Sequence, residues 1–239
     1  MWLTSLGSAF DSPDTKSRYV RRLFSTIADR YDLITGLLSY GQDRRWKRRL
    51  VSLVPIRPGV RVLDLACGTG DITYALSDAG ASSVGLDITP RMVEIARGKR
   101  QSGSRPEFLV GDMMALPFGD ATFDVVTTGY GIRNVPAIAG ALGEIARVLR
   151  PGGVFLSLDF DRPSNPLLRA VYLGYLTLVG STLGLVLHGD PDTYRYIPES
   201  IRRYPGAEAV SAIARAHGFA SCERFRVLVG LMALHRAVK

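Results

Sequence analysis

The chain has 239 residues, 46% of them hydrophobic and 22% charged, with a formal net charge of +8. That length suits one generous α/β domain, and that apolar share excludes wholesale disorder. Two cysteines, Cys67 and Cys222, have neither metal-site spacing nor the density of a disulfide framework, which predicts a reducing compartment and no metal centre.

In chain order, the opening MWLTSLGSAFDSPDTK lacks a basic head followed by a long apolar run, so no signal peptide is expected. Val20, Leu23, Phe24, Ile27 and Tyr31 follow helical spacing, and Ile34, Leu37 and Leu38 continue it less cleanly. The spacing predicts two helices between Tyr19 and Leu38, inside a helical cap over about residues 15–52. Arg44, Arg45, Lys47, Arg48 and Arg49 then put five cations into six residues. Such a run is either a solvated helix face or a contact for an anionic surface, where each cation contributes roughly 1 kcal/mol.

After the loop VPIRPG, strands and helices alternate. RVLDLA is a strand, ITYALSDAG a helix ended by Gly80, and SSVGLD a second strand. TPRMVEIARGKR is a helix with Thr89 as N-cap and Pro90 in its first turn. PEFLVGD and FDVVTTG are the third and fourth strands, Ala137 to Leu149 a helix closed by PGG, and GVFLSLDF the fifth strand. The rhythm breaks over about residues 162–207, then resumes with the helix EAVSAIARAHG and the strands CERFRVL and LMALHRAV. This order predicts one α/β domain over 1–239: a mostly parallel seven-stranded sheet with right-handed crossovers and helices on both faces. Ligands in such sheets sit beyond the carboxyl ends of the strands, which selects the loops at Ala66, Asp87, Asp112, Gly129 and Phe160.

The first of these loops, VLDLACGTGD, is not a dinucleotide loop. It reads Asp64-x-x-x-Gly68-x-Gly70, with an acid inside the strand end that would repel a pyrophosphate. An acid there suits a positively charged ligand. S-adenosylmethionine carries a sulfonium and an ammonium and no phosphate, so Asp64 can face its amino-acid end. Gly68 and Gly70 let the backbone pass beside the ligand. Asp87, followed by Ile88, closes the second strand where a carboxylate can accept both ribose hydroxyls. Gly111-Asp112 closes the third, within reach of the adenine amine. Three acids closing three successive strands identify a Rossmann-like, S-adenosylmethionine-binding fold. Cys67 has no neighbouring base and reads as a packed residue.

The chain resembles the ubiquinone/menaquinone biosynthesis methyltransferases. The resemblance rests on FSTIADRYDLITGLLSYGQDRRWK, VLDLACGTGD, GDMMALPFGDATFDVVTTGYGIRNV, ARVLRPGG, RPSNPLLR and GDPDTYRYIPESIRRYP, spanning Phe24 to His235. YGIRNV and YRYIPESI are the most restricted of these. The resemblance implies cofactor contacts at Thr69, Asp87, Asp112 with Met113, and Gly129 just before Tyr130. It implies C-methylation of a prenylated quinol ring, in the cytoplasm, at the inner face of the membrane. Three positions depart from the family: Gly129 stands where serine or alanine is common, and Asp159 and Asp161 where glutamate and then serine are usual. A methyltransferase for another phenolic or polyketide-like molecule would carry its mark at those two aspartates.

Methylating an aromatic carbon needs electron density there, and a quinol supplies it when a ring hydroxyl loses its proton. Arg133, always protonated, reads as an electrostatic clamp on that oxyanion, with a structural salt bridge as the alternative. Asn134 would orient the hydroxyl or a water, and Asp159, Asp161, His188 or a water chain would accept the proton. Ala170 to Leu187 runs 18 residues without a charge and contains the G-x-x-x-G match GSTLG, which meets the bare length of a membrane span. Its place inside a soluble fold favours instead a mobile apolar lid over an isoprenoid channel, touching the bilayer, with a plain buried helix as the alternative. Tyr130, Tyr194 and Tyr196 would line the acceptor pocket, or pack in the core; His217 and His235 read as structural. The charge also raises an RNA methyltransferase, but the base-stacking N/D-P-P-Y motif is missing and the loop reads GYGIRN, so no nucleic acid partner is expected. A homo-oligomer is compatible with the sequence, which does not fix the oligomeric state.

Overall fold

A computed structural model describes residues 6–99 and 106–239. Its centre is a seven-stranded sheet in the order β3-β2-β1-β4-β5-β7-β6. The strands are β1 (Arg61–Leu65), β2 (Ser82–Asp87), β3 (Glu107–Val110), β4 (Phe123–Gly129), β5 (Leu149–Phe160), β6 (Ser221–Val227) and β7 (Met232–Val238). The first five are parallel, and β7 runs antiparallel to both of its neighbours.

Period-two alternation fills two cores at once. Leu63 and Leu65 of β1, Val126 of β4 and Phe155 of β5 pack on one face, with Leu142 and Ile145 of α6 (Ile138–Val148) and Val210 of α9 (Ala207–Ala216). Val62, Val125, Leu156 and Leu158 point to the other, against Leu76 of α4 (Asp71–Asp78) and Leu50 of α3 (Asp43–Val51). Each fully buried leucine contributes roughly 1.5–3 kcal/mol. Helix α5 (Pro90–Gly98) follows β2, with Thr89 as N-cap; its backbone is extended there, but its hydroxyl makes no cap bond. The PGG after α6 lies inside β5, where the register against β4 shifts, and is not a separate turn.

The N-terminal helices are α1 (Pro13–Ile27), α2 (Tyr31–Leu38) and α3. Helix α1 begins before the apolar periodicity does, because Ser12 and Thr15 cap it reciprocally and Pro13 occupies its first position. The stretch where the rhythm breaks holds α7 (Pro166–His188), capped by Asn165, and α8 (Asp192–Arg203). Gly180 and Gly184, the two glycines of GSTLG, are buried against α8 and the turn before it. A Cβ on Gly180 would sit 3.1 Å from the Tyr194 carbonyl oxygen, and one on Gly184 only 2.5 Å from that of Asp190. The motif therefore serves close packing within the chain. Val20, Leu23, Ile27, Ile34, Tyr194 and Tyr196 join α1, α2 and α8 into a third apolar cluster above the strand ends.

Candidate active site

Two connected spaces open at the carboxyl ends of the parallel strands. The first is a cleft lined by Gly68, Asp87, Ile88, Asp112, Met113 and Gly129 from the strand ends, and by Val20 and Phe24 of α1. The second is an apolar chamber of about 410 Å³, walled by α1, α2, α7 and α8. Phe24, Tyr31, Tyr130 and Asn134 line both.

The backbone at the cleft is held in uncommon conformations. Ala66 and Tyr130, just after β1 and β4, have φ of 50° and 62°, a region few side chains adopt without help from their surroundings. Gly131 is forced: a Cβ there would lie 2.3 Å from Thr128 Oγ1 and 2.9 Å from the Ala66 Cβ. Asp87 accepts the Gly68 N–H at 2.9 Å through Oδ2 and the Thr89 N–H at 2.8 Å through Oδ1. Each oxygen keeps a second acceptor position, enough for two vicinal hydroxyls. Burial pushes the Asp87 carboxyl up, against the pull of those two bonds. Asp112 accepts the Met114 N–H at 2.9 Å and faces the cleft beside Met113. Thr89 Oγ1, at the same cleft, is buried without a hydrogen-bond partner among the described residues. Two free carboxylate positions, an orphaned hydroxyl, and apolar walls from Ile88, Met92 and Val135 fit an adenosine.

Asp64 lies elsewhere. It is 1% exposed and lines neither space. The Thr73 hydroxyl donates to its Oδ2 at 2.6 Å and the Thr127 hydroxyl to its Oδ1 at 2.8 Å. Period two explains this: Asp64 points with Val62 toward α4, so it braces the start of that helix beneath the loop. Burial raises it to about 6 despite both bonds. Gly70 too is turned away; with φ of 90° it caps α4, and a Cβ would meet Phe108 Cζ at 2.9 Å. Thr69, 3% exposed, donates to Asp32 Oδ1 at 2.6 Å and lines a small polar recess beside the cleft. Cys67 is buried, and burial pushes its thiol well up.

In the chamber, Arg133 is the one charged side chain among the described lining residues. It stands on a one-turn 3₁₀ helix, Ile132–Asn134, just past β4. Its Nη1 is paired with Asp159, its backbone N–H donates to Asp159 Oδ2 at 3.0 Å, and its Nε donates to Ser200 Oγ at 2.8 Å. The guanidinium stacks 4.9 Å above the Phe160 ring. Nη2 keeps no partner among the described residues. Asn134 donates to the Tyr130 carbonyl at 2.8 Å and accepts from the Tyr196 hydroxyl at 3.1 Å. Tyr196 also stacks on Phe10 and Tyr19, and Tyr194 lines the chamber above it.

Residues 12–239 match the ubiE/COQ5 methyltransferase family. The chain belongs to that family. It is 43% identical to the demethylmenaquinone methyltransferase of Thermus thermophilus over 89% of this chain and 98% of that one. It is 39% identical to the ubiquinone/menaquinone biosynthesis C-methyltransferase UbiE of Dinoroseobacter shibae, over 95% and 92%. Among solved structures, a possible histamine N-methyltransferase from Thermotoga maritima superposes with a TM-score of 0.66 at 20% identity, over 92% and 99% of the two chains. The magnesium protoporphyrin IX methyltransferase of Synechocystis, with bound S-adenosylhomocysteine, gives 0.64 at 19%, over 94% and 99%. These likenesses show the Rossmann-like methyltransferase fold. The enzyme is an S-adenosylmethionine-dependent methyltransferase.

Three expected acceptor-site residues do not line the chamber. Asp159, 2% exposed, is the counter-ion of Arg133 and also accepts the Phe160 N–H. Asp161 accepts the Ala207 N–H at 2.8 Å and that of Arg162 at 2.7 Å, so it caps α9. His188, at the end of α7, meets the Tyr194 hydroxyl at 2.8 Å, and burial pushes it down. His235 bridges Ser157 and the Ala207 carbonyl inside the sheet.

Several residues at the site escaped sequence reasoning. The Tyr130 hydroxyl donates to Asp43 Oδ1 at 2.7 Å, and Asp43 pairs with Lys47 at 2.6 Å. Lys47 thus turns inward from the cationic run, while Arg44, Arg45, Arg48 and Arg49 stay exposed. The signal was present: Asp43 and Lys47 are four apart, which puts them on one helix face. Lys16 donates to the carbonyls of Arg133 at 3.1 Å and Val135 at 2.6 Å, tying α1 to the loop after β4. Burial, then the Arg133 charge, lowers it to about 8. Neither Lys16 nor Ser200 carries a local sequence pattern that announces its contact.

Proposed function

We propose that this enzyme C-methylates the ring of a prenylated quinol in respiratory quinone biosynthesis, with demethylmenaquinol or a ubiquinol precursor as acceptor. The observation that carries this reading is the chamber: about 410 Å³, apolar, sharing a wall with the cofactor cleft, and with Arg133 the one cation among its described lining residues. A bicyclic or monocyclic ring with an isoprenoid tail fits such walls, and a ring oxyanion fits the cation. The names of the relatives from Thermus thermophilus and Dinoroseobacter shibae agree with it.

When bound, S-adenosylmethionine supplies a methyl group made electrophilic by its sulfonium. Asp87 and the cleft walls would hold the adenosine, with Ile88, Asp112, Met113 and Gly129 around it, and Tyr130 and Asn134 form the wall that this cleft shares with the chamber. Arg133 Nη2 donates to the ring oxygen as its proton leaves, and the charge spreads to the ortho carbon. Asp159 neutralises the guanidinium, so the clamp acts mainly as a charge-assisted hydrogen bond, worth about 1.5–3 kcal/mol, and not as a bare cation. Asn134 Nδ2 and Tyr196 fix the floor beside it. Of the proton acceptors the sequence offered, Asp159, Asp161 and His188 are committed elsewhere, so water takes the proton. For the same reason the two aspartates carry no mark of a different phenolic acceptor.

The enzyme meets its lipid substrate at a cytoplasmic, anionic membrane surface. Leu167, Val171, Leu178 and Leu185 form an exposed stripe along α7, a helix long and apolar enough to span a bilayer by length and composition, with its other side packed on α8. Leu33 and Leu37 on α2 are exposed as well. The Tyr40 hydroxyl, two residues past α2, bonds that of Tyr175 on α7, and both tyrosines line the chamber, so the elements that carry the apolar stripes also wall it. The exposed arginines of α3 supply attraction to acidic headgroups. The helices over 13–51 and 162–207 act together as the cap on the sheet.

Methyl transfer to a short-tailed demethylmenaquinol and to its benzoquinol counterpart, each assayed reduced and oxidised, tests the reading. Transfer to a reduced ring alone is expected. Cofactor binding without transfer to either ring would sink it.

A further inference from the structure

The loop that carries Arg133 and Asn134 lacks a local donor on its carbonyl side. Its single 3₁₀ turn, Ile132–Asn134, ends where Val135 goes extended, with ψ of 151°. Pro136 follows and has no N–H, so the turn cannot donate back to the Arg133 carbonyl. The donor comes instead from the first turn of α1. Lys16 Nζ donates to the Arg133 carbonyl at 3.1 Å and to the Val135 carbonyl at 2.6 Å, the two that flank Asn134 in the chain. We propose that Lys16 is a positioning residue for methyl transfer, fixing the backbone of this loop against α1 and so holding Arg133 and Asn134 in register with the cofactor cleft.

Lys16 joins two walls of one cleft. Ser17, Val20 and Phe24, the next positions along its helix, line the cofactor cleft, and so do Asn134, Val135 and Pro136 of the loop. Arg133 is gripped on both edges of its backbone: Asp159 takes its N–H at 3.0 Å and Lys16 its carbonyl. The remaining ties reach side chains. Asp159 and Ser200 hold the guanidinium, and Tyr196 holds the Asn134 amide. Without Lys16 the N–H edge stays fixed while the carbonyl edge can turn, and Arg133 and Asn134 turn with it. Burial and then the Arg133 charge work against the Lys16 charge, and Asp159 works for it; at about 8 the amine keeps its proton at neutral pH. Both bonds are therefore charge-assisted, the stronger kind. Methyl transfer needs donor and acceptor aligned, and a displacement of about 1 Å can cost on the order of 10²-fold in rate. A tie between the wall of the cofactor cleft and the residues that face the acceptor acts on that alignment.

The proposal rests on the quinol reading for the acceptor it serves, so one arm of its test uses neither acceptor nor cofactor. Amide hydrogen exchange of the whole chain is followed by mass spectrometry at neutral pH. Lys16→Met keeps the apolar stem and removes the donor. Its peptides over 131–138 are expected to exchange about tenfold faster or more, with those over β4 and β5 within about twofold of the parent. Lys16→Arg returns a cation with N–H groups for both carbonyls and is expected to stay within about threefold of the parent. In the second arm, cofactor and a short-tailed demethylmenaquinol are saturating. The single-turnover rate of Lys16→Met is expected to fall by about 10- to 100-fold, with the KM for the quinol within about threefold and most of the rate recovered in Lys16→Arg. Unchanged exchange over 131–138 would overturn the proposal, as would equal acceleration throughout the sheet, the sign of a general loss of stability. A loop that opens while the single-turnover rate holds within about twofold would also overturn it, leaving Lys16 a tether of α1 alone. Transfer by the parent to neither ring would sink the quinol reading by itself, and the exchange arm would still decide whether Lys16 holds the loop.

Discussion

The cofactor cleft and the acceptor chamber share four residues and are built in opposite ways. The cleft is made at the ends of parallel strands, where backbone N–H groups, forced glycines and Asp87 are fixed by the sheet. The chamber is made by helices from two distant segments, 13–51 and 166–203, that meet only after folding. One space is a feature of the fold and the other of the cap. At their join lies a short loop after β4 that carries Arg133 and Asn134, where the proposed function puts the chemistry.

If that division holds, damage on the chamber side should leave the cofactor untouched. The largest effect expected is from Arg133→Lys, which keeps a cation for Asp159 but loses the planar fork. Turnover should fall by about 10²- to 10³-fold, the range seen when an oxyanion donor is removed, with cofactor affinity within about threefold of the parent. Single-turnover rates and calorimetry check the two halves separately. A variant that folds, binds cofactor and still turns over within about tenfold would return Arg133 to a purely structural salt bridge.

The next effect belongs to the cleft side and concerns Asp64. Its folded pKa, about 6, is raised by burial above the unfolded 3.8, against the Thr73 and Thr127 bonds. The sign follows: this group's contribution is fully present below about pH 4 and is lost as pH rises through about 6. Asp64→Asn carries no charge to bury. The stability of the parent relative to this variant should fall by about 2 kcal/mol between pH 4 and 7 in urea unfolding. A flat difference would mean that the carboxylate is not confined beneath the loop.

The two regions also differed in how far they could be read. All seven strands are visible in sequence because alternation and the acids at strand ends are local signals, and β5 alone runs further back than PGG suggested. The cleft followed from them, at Gly68, Asp87, Asp112 and Gly129. Asp64 and Gly70 did not, because a motif gives spacing and not facing; one residue of register turns a side chain from the ligand to α4. On the chamber side, Asp159 is claimed by Arg133, 26 residues before it, and Asp161 by the Ala207 N–H, 46 residues after it, and neither contact is written in a local pattern. Lys16, reaching 117 residues along the chain to Arg133, was beyond any local pattern.

A smaller effect sharpens the chamber wall. Gly184→Ala would put a Cβ 2.5 Å from the Asp190 carbonyl oxygen, so α7 must move off the turn before α8. A cost of about 1–3 kcal/mol in stability is expected, with a raised KM for the acceptor and unchanged cofactor affinity. An unchanged KM in the face of that destabilisation would show that the chamber does not depend on how α7 seats.

The smallest expected effect in solution is also the most selective. Leu178 and Leu185 are exposed on α7, 71% and 59%, and seven apart, so they share a face that points away from α8. Leu178→Glu/Leu185→Glu removes apolar surface and adds two like charges to a face that would meet anionic lipid. Stability should change by less than about 0.5 kcal/mol, as for other exposed substitutions. Turnover of a short-tailed, water-soluble quinol should stay within about twofold, because neither residue lines the chamber. Cosedimentation with acidic phospholipid vesicles should drop by about tenfold or more, since each leucine inserted in an apolar phase is worth up to roughly 1.5–3 kcal/mol. Equal binding of parent and variant to the vesicles would detach the stripe from the membrane and leave only the arginines of α3 to hold the enzyme there.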